Sequence, residues 1–389
     1  MQKHYDYIIA GAGAAGLSLA WRMINSPLSP KKILIIDSDL SPSNDKTWCF
    51  WEAGSPPFQD LIHKEWNRVE VGVDNTRFTE SLRHYPYYCL RSGDFQQKIL
   101  STLDAQPNVD LHEAEISDFS SSSDRAVVNL ESNENFSAEY IFQSCLSPWN
   151  SDQDQPDYPL LQHFLGWEIE LANPLFDANT FTLMDFDETF DEGIAFIYLL
   201  PWTDTSGLIE YTIFSDEVLS KNYYEEKISL YLNHRFGLKR IDYQINRREF
   251  GKIPMMDRPV KPWLANRVMN IGTVGGITKP STGYTFRRIQ SQVDDIMSGL
   301  LSDGVPAYAA PSMSRYKAYD LWLLQIIHDH PREALDVFQH LFRNNTVDEL
   351  FRFLGEETSL RQDLKIMSSV PYPPFLRAIW QTRQRLLEI

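Results

Sequence analysis

Six residues near the start constrain this chain most: Gly11-Ala12-Gly13-Ala14-Ala15-Gly16 reads G-x-G-x-x-G. Before them, Tyr5-Asp6-Tyr7-Ile8-Ile9-Ala10 is a run of aromatic and β-branched residues that predicts a buried strand. After them, Leu17 to Met23 carries apolar residues at helical spacing, and Lys32-Ile33-Leu34-Ile35-Ile36-Asp37 is a second apolar strand. Together they predict a βαβ unit. In such a unit Gly11 permits the tight turn, Gly13 lets backbone approach a pyrophosphate, and Gly16 lets the helix pack on the strand. Ala14 and Ala15 complete the cofactor-binding turn, where the helix N-terminus offers free N–H groups to phosphate oxygens. Asp37, 21 residues beyond Gly16, is placed to accept hydrogen bonds from ribose hydroxyls. The fingerprint predicts a bound dinucleotide; its position so early in the chain favours FAD over NAD.

Composition narrows the partners. With 53 acidic and 36 basic residues the chain carries −17, a field that repels phosphate backbones and argues against nucleic acid. Wholesale adsorption to anionic lipid is disfavoured for the same reason, which leaves room for a local basic or apolar patch at a bilayer. Hydrophobic residues at 43% and charged residues at 23% exclude general disorder. Aromatic residues reach 13%, enough for large buried layers or a pocket for an extended apolar ligand. Cys49, Cys89 and Cys145 give no disulfide framework and no Cys-x-x-Cys pair, as suits a reducing cytoplasm. No apolar run reaches the roughly 18 residues of a spanning helix, so a soluble or peripheral protein is expected. His328 and His330, two apart on an expected helix, face away from each other, and no metal site is expected.

A length of 389 residues suggests two or three compact regions in an α/β fold. Residues 1–75 and 76–150 read as nucleotide-binding, the second part mixed strands and helix. Residues 151–260 read as an antiparallel sheet domain that binds substrate, with strands at Phe164 to Glu170, Thr180 to Phe186, Ile194 to Leu200 and Leu208 to Phe214. Ser147 to Tyr158 is a polar crossing into it. Residues 261–302 return to the first domain, and 303–389 are a helical C-terminal region.

A second Gly-rich segment, Ile271-Gly272-Thr273-Val274-Gly275-Gly276 continuing to Lys279-Pro280-Ser281-Thr282-Gly283-Tyr284, resembles the flavin-contacting segment of the lycopene cyclase family. Further pieces similar to that family follow in order: Asp45-Lys46-Thr47-Trp48, Phe164-Leu165-Gly166-Trp167-Glu168, Met184-Asp185-Phe186, Leu208-Ile209-Glu210-Tyr211-Thr212 and Gly251-Lys252-Ile253-Pro254-Met255. The resemblance implies a Rossmann-like FAD-binding domain of the flavin hydroxylase-like type, and use of reduced FAD without net redox change. It implies closure of the ψ-ends of lycopene into β-ionone rings, through γ-carotene to β-carotene. It assigns cofactor contacts to Thr47, Trp48, Gly272, Gly275, Gly276, Thr282, Gly283 and Tyr284, and places Arg91 by the adenosine half of FAD. It implies transient NAD(P)H or another donor as the reductant, and the inner face of the cytoplasmic membrane as the place of work. Thr273 stands where many flavin hydroxylases carry an acid, which disfavours an oxygen-activating enzyme. The alternatives are an FAD-dependent hydroxylase or isoprenoid reductase on the same fold, or a pigment carrier.

Cyclisation of a polyene end needs a strong acid in a dry wall, and a desolvated carboxyl stays protonated long enough to be one. Glu210 is the expected proton donor, set in an apolar strand at the position of the family's catalytic acidic motif. Asp185 and Glu168, each in an otherwise apolar strand, are second candidates to orient it or to take the departing proton. Which acid takes that proton stays open. Trp48, Trp167 and Tyr284 are expected to line the substrate tunnel. Phe353-Leu354-Gly355-Glu356-Glu357-Thr358 looks similar to the catalytic string but follows a helix beyond the flavin segment, so its glutamates are expected to be solvated.

Overall fold

The first strand, β1 (Lys3–Ala10), buries Ile8, Ile9 and Ala10 completely, and α1 (Ala14–Ile24) starts four residues later. The protein is seen as a computed structural model that describes residues 3–74, 76–145, 156–186 and 193–387. The chain continues through β2 (Ile33–Asp37), β3 (Thr47–Trp51), β4 (Ile62–Trp66), β5 (Arg68–Val73), β6 (Thr76–Ser81) and β7 (Tyr87–Arg91). Next come α2 (Ser92–Asp104), β8 (Val109–Glu113), β9 (Ile116–Ser121), β10 (Ala126–Leu130) and β11 (Asn135–Gln143). A second group is β12 (Leu160–Leu171), β13 (Thr180–Asp185), β14 (Ile194–Pro201), β15 (Ser206–Ser215), α3 (Lys221–Phe236) and β16 (Tyr243–Met255). Then β17 (Trp263–Ala265), β18 (Val268–Asn270) and α4 (Phe286–Ser302) return to the first group. The tail is α5 (Ser314–Asp329), α6 (Pro331–Asn344), α7 (Val347–Leu354), α8 (Leu360–Met367) and α9 (Tyr372–Thr382).

The nucleotide-binding sheet runs β17-β18-β11-β1-β2-β8, parallel from β18 to β8, with β10 and β9 attached to the first half of β11. Val268–Asn270 pairs parallel to β11, so the chain comes back to the first sheet here. A parallel sheet needs both faces covered, and α1, α2 and α4 cover one through Leu17, Phe95 and Val293. The turn from β1 to α1 is as tight as the glycine spacing demands. Gly11 has φ +106°, and a Cβ on Gly16 would stand 2.0 Å from the carbonyl oxygen of Gly11.

The second sheet runs β16-β12-β15-β14-β13-β5-β6 and is antiparallel except where β13 meets β5. All four strands expected between 164 and 214 are present as β12 to β15. Two features differ from the sequence reading. Residues 68–81, grouped with the nucleotide-binding domain, form β5 and β6 on the edge of this second sheet. Their apolar alternation (Val69, Val71, Val73) shows a strand, but not which sheet will take it. Residues 243–255 form the long edge strand β16, whose Asn246, Arg247, Arg248 and Glu249 hide the pattern of a strand. The expected crossing at 147–158 falls mostly on residues 147–155, outside the described residues.

Side-chain alternation splits this sheet into two chemistries. Ile209, Tyr211 and Ile213 of β15, with Trp167 and Ile197, pack against Tyr224, Ile228 and Tyr231 of α3. Leu208, Glu210, Thr212 and Phe214 point to the opposite face, over which the helices α5 to α9 close. Each large side chain buried there contributes about 1.5–3 kcal/mol, and the tail docks through Phe338, Phe342, Leu350 and Phe351.

The glycine geometry gives a first test. Gly16→Val forces a side chain into backbone and should lower stability by about 3 kcal/mol or more, read as the urea midpoint. Gly13→Ala meets nothing within 4 Å and should leave the midpoint within error of the parent. Equal midpoints for the two variants would refute this account of the turn.

Candidate active site

A cavity of about 730 Å³ lies between the two sheets and the helical tail. At one end it is bounded by Gly13, Ala14, Ala15, Gly272, Thr273 and Thr282, at the other by tail residues such as Phe338, Leu341 and Phe375. The first end is made of the two Gly-rich turns, which touch: a Cβ on Gly272 (φ +65°) would come within 2.8 Å of the Ala15 Cβ. Space above Gly13 is open, and the α1 N-terminus has no side-chain cap, so its N–H groups are free for an anion. The Thr282 hydroxyl and the Gln162 carbonyl are buried against the same space without hydrogen-bond partners. An open cradle at a helix N-terminus, flanked by orphaned polar atoms, fits the pyrophosphate and ring of FAD.

The cofactor residues expected from sequence divide by position. Gly13, Ala14, Ala15, Thr47, Trp48, Gly272, Thr282, Gly283 and Tyr284 line the cavity. Gly11 and Gly16 shape the turn from behind. Gly275 and Gly276 lie outside the cavity wall: a Cβ would strike the Asn270 carbonyl at 2.6 Å or Val260 at 2.8 Å, so they shape the second turn rather than touch a ligand. Asp37 ends β2 beside the first turn, with Oδ2 accepting from the Ala12 N–H at 2.5 Å and Oδ1 from Asp39 at 3.2 Å. Arg91 departs from its expected place. It is not among the residues lining the cavity; its guanidinium donates to Glu168 at 3.0 Å and lies 5.2 Å from the Trp202 ring centre.

Glu210 is on the cavity wall, 8% exposed, directly across from Tyr198 on β14 and Gly166 on β12. Its carboxyl accepts one side-chain hydrogen bond, from the Thr212 hydroxyl at 2.9 Å. Burial, and next the charge of Glu249, push its pKa up to about 8, against smaller opposing effects of Thr212 and Arg247. At neutral pH the group is therefore a carboxylic acid facing apolar space.

The other candidates are differently placed. Asp185 points to the α3 face, where Arg77 (2.7 Å), Arg235 (3.2 Å) and Tyr231 (2.7 Å) converge on one of its oxygens. That is an ion-pair anchor between β13, β6 and α3, separated from the cavity by the sheet. Glu168 shares the face of Gly166 but is clamped by Arg91 and Arg247, each at 3.0 Å. Trp48 and Tyr284 line the cavity as expected, whereas Trp167 packs by Tyr243 on the α3 face. Of the downstream glutamates, Glu357 is exposed as expected, whereas Glu356 is largely buried. Glu356 joins Lys279 (3.0 Å) and Arg288 (2.9 Å), and Glu357 joins Arg287 and the Tyr85 hydroxyl. Burial opposes charge on Glu356, but Lys279 and Arg288 hold its pKa below the usual carboxylate value.

Sequence reasoning missed two groups. Glu249, 3% exposed, lines the cavity from β16. It lies two residues before the Gly251 to Met255 piece, in a strand whose charged residues concealed it. A chain of hydroxyls, Tyr284 to Tyr87 (3.0 Å) to Tyr198 (2.8 Å), connects the second Gly-rich segment to the strand opposite Glu210. Tyr87 comes from a segment with no signal beyond apolar alternation, and Tyr198 opens the family-like piece Tyr198-Leu199-Leu200-Pro201, where nothing marked the hydroxyl.

The protonation of Glu210 makes stability depend on pH. Between its ordinary value of 4.5 and about 8 the folded chain holds a proton that the unfolded chain has released, so this group's contribution to stability falls as pH rises through that window. Glu210→Gln should equal the parent in stability near pH 4 and exceed it by on the order of 5 kcal/mol above pH 8. Denaturant midpoints of the two proteins across pH measure this; parallel curves would refute it.

Comparison with known proteins agrees with this arrangement. The family model described as lycopene cyclase protein matches residues 6–380. A lycopene beta-cyclase of Pantoea ananas is 23% identical over 97% of this chain and 98% of its own length. A chloroplastic lycopene beta cyclase of an Oncidium hybrid cultivar is also 23% identical, over 82% of this chain and 68% of its own. Among solved structures, the flavin-dependent brominase Bmp2 superposes with a TM-score of 0.63 at 14% identity, covering 98% of this chain and all of that one. That likeness establishes the fold, an FAD-type α/β architecture with mixed sheets and a helical C-terminal region. With nearly the whole chain inside the family match, the protein belongs to the lycopene cyclase family.

Proposed function

We propose that the chain is an FAD-dependent lycopene β-cyclase, acting on the ψ-ends of lycopene by acid–base chemistry. One observation carries this reading: a protonated glutamic acid, Glu210, faces an apolar cavity that also contains a cradle fit for FAD. The reaction is an isomerisation. The Glu210 O–H bond breaks as a C–H bond forms at the terminal double bond, and the next double bond closes the ring onto the resulting cation. A proton then leaves a ring carbon, so atoms and electrons balance without a consumed reductant. The chemistry FAD supplies when bound and reduced is electrostatic, an electron-rich ring beside a developing cation. Gly13, Ala14, Gly272 and Thr282 would hold it, and NAD(P)H is the proposed source of its electrons.

What the chain's own residues contribute is an acid, a dry wall and π faces. Phe196, Leu208 and Phe214 exclude water that would capture a cation, while Trp48 and Tyr284 present rings to the cavity. A redox enzyme on the same fold has less support, since the solved neighbours are 10–15% identical and speak to architecture alone.

A lipid-dissolved substrate calls for contact with a bilayer, and the tail supplies a candidate surface. Leu360 and Leu364 on α8, and Tyr372, Leu376 and Trp380 on α9, are 60–68% exposed at helical spacing. The same two helices send Ile366, Met367 and Phe375 into the cavity wall. Arg361 and Arg383 stand beside this stripe, while Lys365, Arg377 and Arg385 are paired with Glu349, Glu333 and Asp257. No helix among the described residues is long and apolar enough to cross a membrane. Peripheral docking at the cytoplasmic leaflet fits these features.

Expression in lycopene-accumulating bacteria should convert red pigment to orange-yellow β-carotene, read by chromatography. Glu210→Gln should bind FAD normally and lose product by 100-fold or more; full activity would remove the acid assignment. Product formed only with stoichiometric NAD(P)H oxidation would replace the cyclase reading with the redox one. Joint replacement of Leu364, Leu376 and Trp380 by Ser should abolish co-sedimentation with anionic vesicles at unchanged thermal stability; undiminished binding would refute the docking surface.

A further inference from the structure

Gly166 occupies an unusual place in the second sheet. On β12 it pairs with Glu210 of β15 on one side and with Glu249 of β16 on the other. Residues two strands apart have Cα atoms about 10 Å from each other and side chains on one face. With hydrogen at the middle position, no side chain stands between the two carboxyl groups. A Cβ there would come within 3.0 Å of Leu208 and 3.5 Å of the Glu210 Cβ, so the gap is also filled by the lean of Glu210 over it. Both side chains are buried, and both line the cavity.

The two acids are supplied very differently. Glu249 accepts from the Thr47 N–H (2.7 Å), the Thr47 hydroxyl (2.6 Å) and Arg247 (2.9 Å). Glu210 has the Thr212 hydroxyl and no cation of its own. Two carboxyl groups this near in an apolar wall do not both ionise cheaply. The one with three donors, an arginine among them, is suited to the charge; its neighbour is suited to the proton.

We propose that Glu249 is a positioning residue: across the gap at Gly166, its anchored carboxylate charge holds Glu210 in the protonated form that donates. This rests on the cyclase reading for its catalytic consequence, though the charge relation between the two groups does not. The remaining groups that face Glu210 do not reverse it. Tyr198 and Tyr284 are neutral, and burial pushes both hydroxyls upward. Glu168 is neutralised between Arg91 and Arg247. Lys279 and Asp320, across the cavity, pair with each other at 3.0 Å. Arg247 alone pulls toward ionisation, and its influence on Glu210 is smaller than that of Glu249.

The test is an infrared titration of the FAD-loaded protein, following the carboxylic C=O band assigned to Glu210 by its loss in Glu210→Gln. In the parent the band should persist to a midpoint near pH 8. Glu249→Gln should move that midpoint down by on the order of one pH unit, together with the alkaline limb of the pH–rate profile. Glu249→Asp should restore both. Should losing the Glu249 charge beside Arg247, which keeps Glu168 as its ion-pair partner, prevent folding, the charge-balanced pair Arg247→Gln with Glu249→Gln should shift the midpoint in the same direction. An unmoved midpoint in a folded, FAD-bound variant, or a parent midpoint near pH 4, would overturn the proposal. If Glu210→Gln still cyclises lycopene, the cyclase assignment of Glu210 fails while the infrared shift still decides the coupling.

Discussion

A carboxyl group set into a wall of Leu208, Phe196 and Phe214 with no cation beside it cannot ionise without a desolvation cost of several kcal/mol. The active end of the molecule is organised around that constraint. The alternation of β15 sends Glu210 into the cavity and Tyr211 into the α3 core, so a single strand carries both the acid and part of the packing that fixes it. Arg247 lies on the edge strand β16, two strands away, but Glu168 and Glu249 absorb its donors. A free guanidinium near Glu210 would have pulled its proton off, whereas this one is committed elsewhere.

The helical tail makes the cavity a closed space, and its attachment is electrostatic where it meets the cofactor segment. Lys279, buried in the second Gly-rich turn, reaches Asp320 on α5 and Glu356 just after α7. Ser281 donates to the same Asp320 at 2.6 Å, and Arg288 at the start of α4 reaches Glu356 as well. Removing one partner of such a buried cluster strands a charge at a cost of about 3–5 kcal/mol. The turn that would hold the flavin and the helices that cover the substrate space therefore sit in one network. The Glu356-Glu357 string, which imitates a catalytic motif in sequence, serves as the tail's anchor.

Much of this was legible before any coordinates. The βαβ unit followed from Gly11 to Gly16 and two apolar strands, because glycine spacing and hydrophobic period are local signals. The four strands from 160 to 215 followed from alternation, and Glu210 stood out as an acid inside one of them. What escaped depends on contacts far apart in sequence. That β5 and β6 join the second sheet is decided by β13, more than a hundred residues away. Asp185 stood as a second candidate behind Glu210, and only the face of the strand, set by a register irregularity between Thr182 and Met184, assigns it to Arg235 instead. Arg91 likewise reads as a cofactor arginine until Glu168, on another sheet, claims it. Glu249 was hidden because edge strands tolerate charge, so its pattern resembled a loop.

An apolar wall also has to be rigid to keep water out, and here aromatic stacking provides it. Trp51 of β3 lies flat on Phe351 of α7, with ring centres 4.4 Å apart and planes within 3°. Phe351 in turn faces Tyr87, which stacks on Phe181 of β13 at 4.2 Å. This column runs from the small β3-β7-β4 sheet through the tail to the second sheet, and its Tyr87 and Phe351 line the cavity. Such rings have few rotamers to lose and carry electron-rich faces. A wall of branched aliphatic residues would exclude water equally well but would offer nothing to a cation. Under the proposed cyclisation, the same column that closes the wall also keeps π density close to where positive charge develops, and Tyr87 adds a hydroxyl link to Tyr198 opposite the acid. High aromatic content in this chain is then a requirement of two tasks that one set of side chains performs together.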